Sequence, residues 1–132
     1  MSEIDNIINE WLTKADHDLG SAKLIFLHLP DYFDTIAFHC QQAVEKYLKA
    51  ALIHYKIEFQ RSHNLFYLLD LLSEKVRIET NLFEKVIKLN GFSIEIRYPN
   101  KVKFLSKEEL EFSIEIAEFF RDFVLKQIGV EN

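Results

Sequence analysis

The chain has 132 residues, enough for one domain with a core of ordinary size and too few for two. Hydrophobic residues make up 48% of the chain, which excludes a disordered protein, and three glycines with two prolines are too few for the turns of an all-β fold. The formal net charge of -5 argues against a protein that coats nucleic acid. We therefore expect one mostly helical domain over residues 1–132.

The compartment is indicated by what the sequence lacks. It contains no run of about 18 apolar residues that would span a membrane and no secretory leader pattern. Its only cysteine, Cys40, lies on an apolar helix face, so an internal disulfide is impossible and a buried, inert thiol is expected. We predict a soluble cytoplasmic protein with no membrane contact.

The first predicted helix covers about residues 3–28, where apolar residues recur at helical spacing. Ser2 and Asp5 form a weak capping-box signal at its start, and Pro30 ends it. A second helix follows within a few residues. Two long helices joined so closely must lie antiparallel.

The second predicted helix, about residues 31–56, is apolar over most of its circumference, with Asp31 and Asp34 available to cap its start. This pattern predicts the central helix of a bundle. A polar group nevertheless shares one arc of it with apolar residues, and its members are Gln42, Glu45, Lys46 and Lys49.

Two interpretations of this polar group are open. In the first it is a solvated face that pairs with itself, since Glu45 and Lys49 have the favourable i, i+4 spacing. In the second, Gln42 and Glu45 lie near the bundle interior and orient a side chain from elsewhere, such as Arg97, through charge-assisted hydrogen bonds.

The next segment predicts two shorter helices and a loop. Ser62 is placed to cap a third helix, and a fourth helix over about residues 80–89 is expected to end at Asn90 and Gly91. Residues 92–104 begin with the alternation of a strand, but the chain offers no second strand to pair with it. We expect an ordered loop there, with Pro99 fixing its end.

The last predicted helix begins at a capping box of Ser106 and Glu109, reaches about Ile128 and stops at Gly129. Its apolar arc is too wide for one bundle core to cover, which predicts a homodimer. The alternative is that the third and fourth helices cover the extra face. The residues expected at the dimer interface are Phe112, Ile116, Phe119 and Phe123.

Common catalytic and cofactor motifs are missing from the sequence. No two of the five histidines have the i, i+3 or i+4 spacing that lets one helix hold a metal ion. No phosphate-binding glycine loop and no glycine-flanked serine nucleophile occurs. We therefore predict no metal, no cofactor and no catalytic residue.

The Arg97-Tyr98-Pro99 segment, with two lysines following, is the second group that could carry chemistry. One interpretation is that Arg97 is only the structural partner of a carboxylate. The other is that its planar guanidinium binds a phosphate while the neighbouring aromatic ring stacks on a base.

Three stretches in this order, FHCQQAVEKYLKAAL, HNLFYLLDLL and IEIRYPN, resemble the HEPN domain family over nearly the whole chain. The resemblance implies an all-α, up-and-down bundle of four to five helices, usually a dimer whose cleft brings two copies of the motif loop together. Many members are the toxin-type partner of a small nucleotidyltransferase, and others are ribonucleases.

The ribonuclease members carry an Arg followed four to six residues later by a His. This sequence has Arg97 in that position, but no histidine follows His63. The departure favours a binding protein over an enzyme. What carries over is the Arg-Tyr-Pro form of the loop and the pair of His63 and Asn64 at the start of the third helix, although His63 could instead cap that helix.

These observations together predict a HEPN-type partner of a nucleotidyltransferase that binds a nucleotide or RNA rather than DNA. Gln42 and Glu45 would orient Arg97, and Tyr98 would stack on a base or be modified by the partner. Two alternatives stay open: a metal-independent ribonuclease that uses Arg97 with Tyr98 or His63, and a module that only binds proteins. The expected ligand-binding residues are Arg97, Tyr98, Pro99, Lys46, Lys49, His63 and Asn64.

Overall fold

A computed structural model of the protein contains five α-helices, as the helical spacing of apolar residues predicts. The structure describes residues 2–96 and 105–129, and for residues 93–96 it describes the backbone alone. No strand occurs in those two ranges, so the predicted all-α class and helical bundle are confirmed. The helices are α1 (Glu3–His28), α2 (Phe33–His54), α3 (Leu65–Leu72), α4 (Thr80–Ile96) and α5 (Lys107–Ile128).

Both predicted capping boxes are present. The Ser2 hydroxyl accepts a hydrogen bond from the Asp5 N–H at the start of α1, and the Asp5 carboxylate accepts one from the Ser2 N–H. Ser106 and Glu109 form the same reciprocal pair at the start of α5. Gly129 ends α5 with φ of +86°, a conformation that costs a glycine little.

Two other predicted caps are wrong. Neither Asp31 nor Asp34 caps α2. The N-cap residue is Tyr32, whose side chain makes no capping hydrogen bond. Asn64 rather than Ser62 caps α3, because its carboxamide oxygen accepts from two backbone N–H groups of the first turn. The Ser62 hydroxyl instead accepts from the N–H of Asn64.

The helix α4 continues through Asn90 and Gly91 to Ile96, so the predicted end at residue 89 is wrong. Leu89 and Phe92 are both buried one turn apart, and the inward face therefore continues across the glycine. Burial of a phenylalanine contributes about 1.5–3 kcal/mol, which exceeds the cost of about 1 kcal/mol for a glycine inside a helix. The expected loop is thus helical as far as residue 96, and residues 97–104 lie outside the described residues.

The helix α2 is the centre of the bundle, as predicted. More than half of its residues are buried, and it packs against α1, α3, α4 and α5. Later residues of α2 contact earlier residues of α1, since Lys49 contacts Trp11 while His39 contacts Asp18. The two long helices are therefore antiparallel.

The buried thiol of Cys40 lies on the side of α2 that faces α5. Burial, with a smaller contribution from the negative charge of Glu118, raises the pKa of this thiol to about 12. It is therefore protonated at neutral pH and a weak nucleophile. Within the ranges that the structure describes, no helix is long and apolar enough to cross a membrane.

The apolar face of α5 that was expected to form a dimer is partly covered within the chain. Ile116 is only 2% exposed, whereas Phe119 is 41% exposed. The Lys85 and Lys88 ammonium groups of α4 lie 4.4 and 4.8 Å from the ring centroids of Phe119 and Phe112. Two lysines of α4 thus cover part of the apolar face of α5, as the alternative to a dimer predicts for the fourth helix. The homodimer stays a prediction.

We predict that Gly91→Ala raises the free energy of unfolding by about 0.5–1 kcal/mol, because alanine favours a helix interior. A Cβ at this position would meet no atom within 4 Å. Gly129→Ala is the matched control and should lower stability, because Gly129 has a φ of +86°. Denaturant titration measures both. Destabilisation by Gly91→Ala would mean that α4 ends near residue 91.

Candidate functional site

Polar side chains meet where α2 faces the start of α3 and the middle of α4. The α2 residues among them are spaced four apart and therefore share one stripe of the helix. They are buried: Gln41 is 5% exposed, Glu45 3% and Lys49 6%. We call the set the polar cluster, and its members are Gln41, Glu45, Lys49, His63, Asn64 and Asn90.

A buried ion pair forms the base of the polar cluster. The Lys49 ammonium lies 3.1 Å from one carboxylate oxygen of Glu45, and on another side it lies 5.4 Å from the centroid of the Trp11 ring. The cation is therefore held between a carboxylate and an aromatic face. Glu45 and Lys49 do pair with each other, but the interpretation of a solvated face is wrong because both are buried.

His63 is held by the second oxygen of the same carboxylate. Its Nδ1 lies 2.9 Å from Glu45 Oε1, while the side chain of His63 is 63% exposed and that of Glu45 only 4%. A carboxylate only accepts hydrogen bonds, so the neutral ring carries its proton on Nδ1 and presents Nε2 as an acceptor. Glu45 therefore orients a side chain from elsewhere in the chain, and among the described residues this partner is His63.

Three carboxamides continue the polar cluster toward α4. The Gln41 amide nitrogen donates to the Asn90 side-chain oxygen and to the backbone oxygen of His63, both at 3.4 Å. The Asn90 amide nitrogen donates to the Asn64 oxygen at 3.2 Å, and that oxygen also accepts the first N–H groups of α3. Because backbone N–H groups can only donate, they fix the direction of every hydrogen bond in this series.

The side-chain oxygen of Gln41 is buried and has no hydrogen-bond partner among residues 2–92 and 105–129. Sequence reasoning singled out its neighbour Gln42, which is half-buried, and took Asn90 only for a helix end. One signal could have found Gln41, because it precedes Glu45 and Lys49 on the i, i+4 stripe. No sequence pattern indicated Asn90, whose role depends on α4 extending past residue 91.

Lys46 is not part of the polar cluster. Its ammonium bonds the carboxylate of Asp18 on α1, and the other oxygen of that carboxylate lies 2.8 Å from His39 Nδ1. The structure therefore separates Lys46 from Lys49, although the two were expected to line one cleft. Arg97, Tyr98 and Pro99 lie outside the described residues, so their positions relative to the polar cluster stay a prediction.

A second network of polar side chains, centred on the exposed Asp16, joins α1, α2 and α5. The Tyr47 hydroxyl donates to the Asp16 carboxylate, which also accepts from Arg121 Nε at 3.0 Å. Burial, followed by the hydrogen bond to Asp16, raises the pKa of Tyr47 above its usual range. The phenol therefore stays neutral and acts as a fixed tie between helices. In the described residues, no three His, Cys, Asp or Glu side chains are grouped so that they could hold a metal ion.

The family model of the HEPN domain matches residues 8–128, which is most of the chain. The chain belongs to the HEPN domain family. The resemblance seen in the three sequence stretches is thereby confirmed. A protein of Methanocaldococcus jannaschii named "Putative toxin MJ1304" is 27% identical over 140 aligned residues, which cover 92% of this chain and 91% of that protein.

Two solved structures share the fold of this HEPN domain. The crystal structure of TT1696 from Thermus thermophilus matches with a TM-score of 0.78 at 27% identity, covering 91% of this chain and 97% of that one. The crystal structure of ST0689, an archaeal HEPN homologue, matches with a TM-score of 0.72 at 23% identity, covering 92% and 97%. The second likeness is one of fold alone.

We predict that Glu45→Ala lowers the free energy of unfolding by about 3–5 kcal/mol, because it leaves the buried Lys49 ammonium without its carboxylate. The matched control is Glu118→Ala, which removes a half-exposed pair with Lys23 and should cost at most about 1 kcal/mol. Replacing both members of the buried pair with Leu and Met should restore most of the loss. Equal, small effects in a denaturant titration would contradict burial of the pair.

Proposed function

We propose that this protein is the toxin-type member of a two-protein pair and that it binds a nucleotide or the end of an RNA at the polar cluster. The observation that carries the proposal is the buried Glu45–Lys49 pair, which holds the exposed ring of His63 in one orientation. A buried ion pair often stabilises a fold no better than packed apolar residues of similar size. Its arrangement here is more readily explained by the positioning of surface groups for a ligand.

The chemistry of the polar cluster suits a ribonucleotide. Because the Asn64 oxygen already accepts the N–H groups of α3, its amide nitrogen is the group left to donate to a ligand. An amide donor at a helix N-terminus favours a phosphate oxygen. The His63 Nε2 atom can accept a hydrogen bond from a ribose hydroxyl. Donor and acceptor lie on consecutive residues, as a sugar-phosphate unit requires.

Arg97, Tyr98 and Pro99 belong to the proposed site because of their place in the chain. They directly follow α4, and Asn90 of that helix is a member of the polar cluster. The six helical steps from Asn90 to Ile96 advance along the helix axis by about 9 Å. We propose that the Arg97 guanidinium contacts a phosphate and that Tyr98 stacks on a base or is modified by the partner.

The toxin-type role is supported by family membership and by the relative from Methanocaldococcus jannaschii, whose name describes it as a toxin. The HEPN resemblance implies a small nucleotidyltransferase as the second protein of the pair. We also propose a homodimer through the face of Phe112, Ile116, Phe119 and Phe123. Phe119 is the accessible centre of that face, because it is 41% exposed while Ile116 is buried.

Binding is tested by titrating a short single-stranded RNA and a nucleoside triphosphate at low salt. Arg97→Ala should weaken RNA binding about 10-fold or more, since a hydrogen bond to a charged group contributes about 1.5–3 kcal/mol. Arg77→Ala, which removes an exposed arginine outside the polar cluster, should weaken it far less. Unchanged binding by Arg97→Ala would remove Arg97 from the site, and equal losses in both variants would indicate unspecific attraction to charge.

The dimer is tested by light scattering coupled to size-exclusion chromatography. Phe119→Glu should convert a dimer to a monomer, because it places a charge at the centre of an apolar contact. The control is Ile7→Glu on α1, which has the same exposed fraction of 41% and should leave the dimer intact. A wild-type monomer at micromolar concentration, or a dimer that survives Phe119→Glu, would contradict this interface.

A further inference from the structure

We propose that a cavity between the turn that joins α1 to α2 and the start of α5 binds a free α-amino acid with a large apolar side chain. The cavity has a volume of about 390 Å³ and is lined by residues of both segments. It shares no residue with the polar cluster, so this second site does not depend on the RNA binding proposed above.

The inner wall of the cavity is apolar. Leu105 and Leu110 belong to the core, and the half-buried rings of Phe26 and Phe33 line the cavity with them. Pockets that enclose small ligands have volumes of about 300–1,000 Å³. A cavity at the low end of this range, with two aromatic rings in its wall, suits one small molecule with a single aromatic or branched side chain.

Two opposite charges line the same cavity without neutralising each other. Asp31 and Lys107 are both exposed, and each lines the cavity. Within residues 2–92 and 105–129, neither side chain forms an ion pair or a hydrogen bond, either with the other or with a third residue. The cavity thus offers an anionic and a cationic group to a ligand, beside an apolar interior.

This combination matches the three parts of an apolar amino acid. The Asp31 carboxylate accepts hydrogen bonds from the ligand ammonium, and the Lys107 ammonium donates to the ligand carboxylate. The ligand side chain enters the apolar interior. Because hydrogen bonds between charged groups are stronger than neutral ones, a ligand with both charges gains more here than a ligand with one.

The two helices that begin at the cavity favour one orientation of the ligand. Phe33 is the first residue of α2 and Lys107 is the first residue of α5, and no side chain caps α2. The N-terminus of a helix carries a partial positive charge, which attracts a carboxylate and repels an ammonium. The ligand carboxylate therefore lies toward the helix starts, and its ammonium lies toward Asp31.

The charges around the cavity disfavour a phosphate as its ligand. Besides Asp31, the first turns of the two helices carry Asp34 and Glu108, whereas Lys107 is the only cation that lines the cavity among the described residues. A dianion would be repelled by these carboxylates. A zwitterion has no net charge and avoids that repulsion.

The experiment titrates the full chain with L-phenylalanine and with L-leucine by calorimetry at neutral pH, where both are zwitterions. At least one of them should bind in the millimolar range or tighter. For L-phenylalanine, 3-phenylpropionate lacks the ammonium and phenethylamine lacks the carboxylate, and each should bind about 10-fold or more weakly. Glycine keeps both charges but has no side chain, and it should also bind about 10-fold or more weakly.

Two variants assign the charges of the cavity. Asp31→Asn should weaken binding of L-phenylalanine about 10-fold or more without weakening that of 3-phenylpropionate, which has no ammonium. Lys107→Met should weaken binding of both acids and spare phenethylamine. Both positions are exposed, so the variants should fold.

Matched controls are Asp34→Asn on α2 and Lys14→Met on α1. Both residues are exposed and neither lines the cavity, so binding of L-phenylalanine should change less than about twofold. Equal losses in the controls and in the cavity variants would indicate an effect of overall charge and would contradict the site.

Three further results would overturn the proposal: binding of neither amino acid at millimolar concentration, unchanged binding in both cavity variants, or equal affinity for L-phenylalanine and its N-acetyl amide. The last result would make the cavity a site for an apolar side chain of another protein. Failure of RNA binding would reject the proposed function alone, because the two sites share no residue.

Discussion

The structure depends on a buried ion pair in its central helix. Glu45 and Lys49 lie one turn apart on α2, and each is less than a tenth exposed. Burying two charges is unfavourable unless each finds further partners. Here Trp11 of α1 contacts the ammonium and His63 before α3 contacts the carboxylate. The requirement to satisfy one pair therefore brings together segments from three parts of the chain.

The two sides of α2 differ in the contacts that they make. Toward α5 the helix is apolar, with Tyr47 tied to Asp16 and Arg121, so this side holds the bundle together. Toward α3 and α4 it carries Gln41 and Glu45, whose hydrogen bonds end at the protein surface. Rigidity on one side supports precise orientation on the other, which is what a binding site on a helix requires.

The helices could be predicted from the sequence because their information is local. The spacing of apolar residues and the capping boxes at Ser2 and Ser106 depend only on near neighbours, and the structure reproduces them. The end of α4 could not be predicted in this way. Gly91 is a stop signal by itself, and it is overridden by the burial of Phe92 and by the hydrogen bonds of Asn90 to other helices.

The candidate site was predictable only in part for the same reason. The i, i+4 spacing indicated Glu45 and Lys49, and the family resemblance indicated His63 and Asn64. No local pattern shows that the Glu45 carboxylate reaches His63, eighteen residues away. Lys46 shares an arc with Lys49 in the sequence, but the position of Asp18 on α1 directs it elsewhere.

The continuation of α4 past Gly91 also has a chemical consequence. An asparagine followed by glycine is prone to succinimide formation, in which the glycine nitrogen attacks the asparagine carboxamide and ammonia is lost. Within α4 the helical backbone keeps these atoms apart, and Gln41 and Asn64 engage the Asn90 carboxamide. A frayed α4 would lose this protection. The aspartate formed on hydrolysis could not donate to Asn64, so ageing of this one dipeptide would break the carboxamide series that joins α4 to α3.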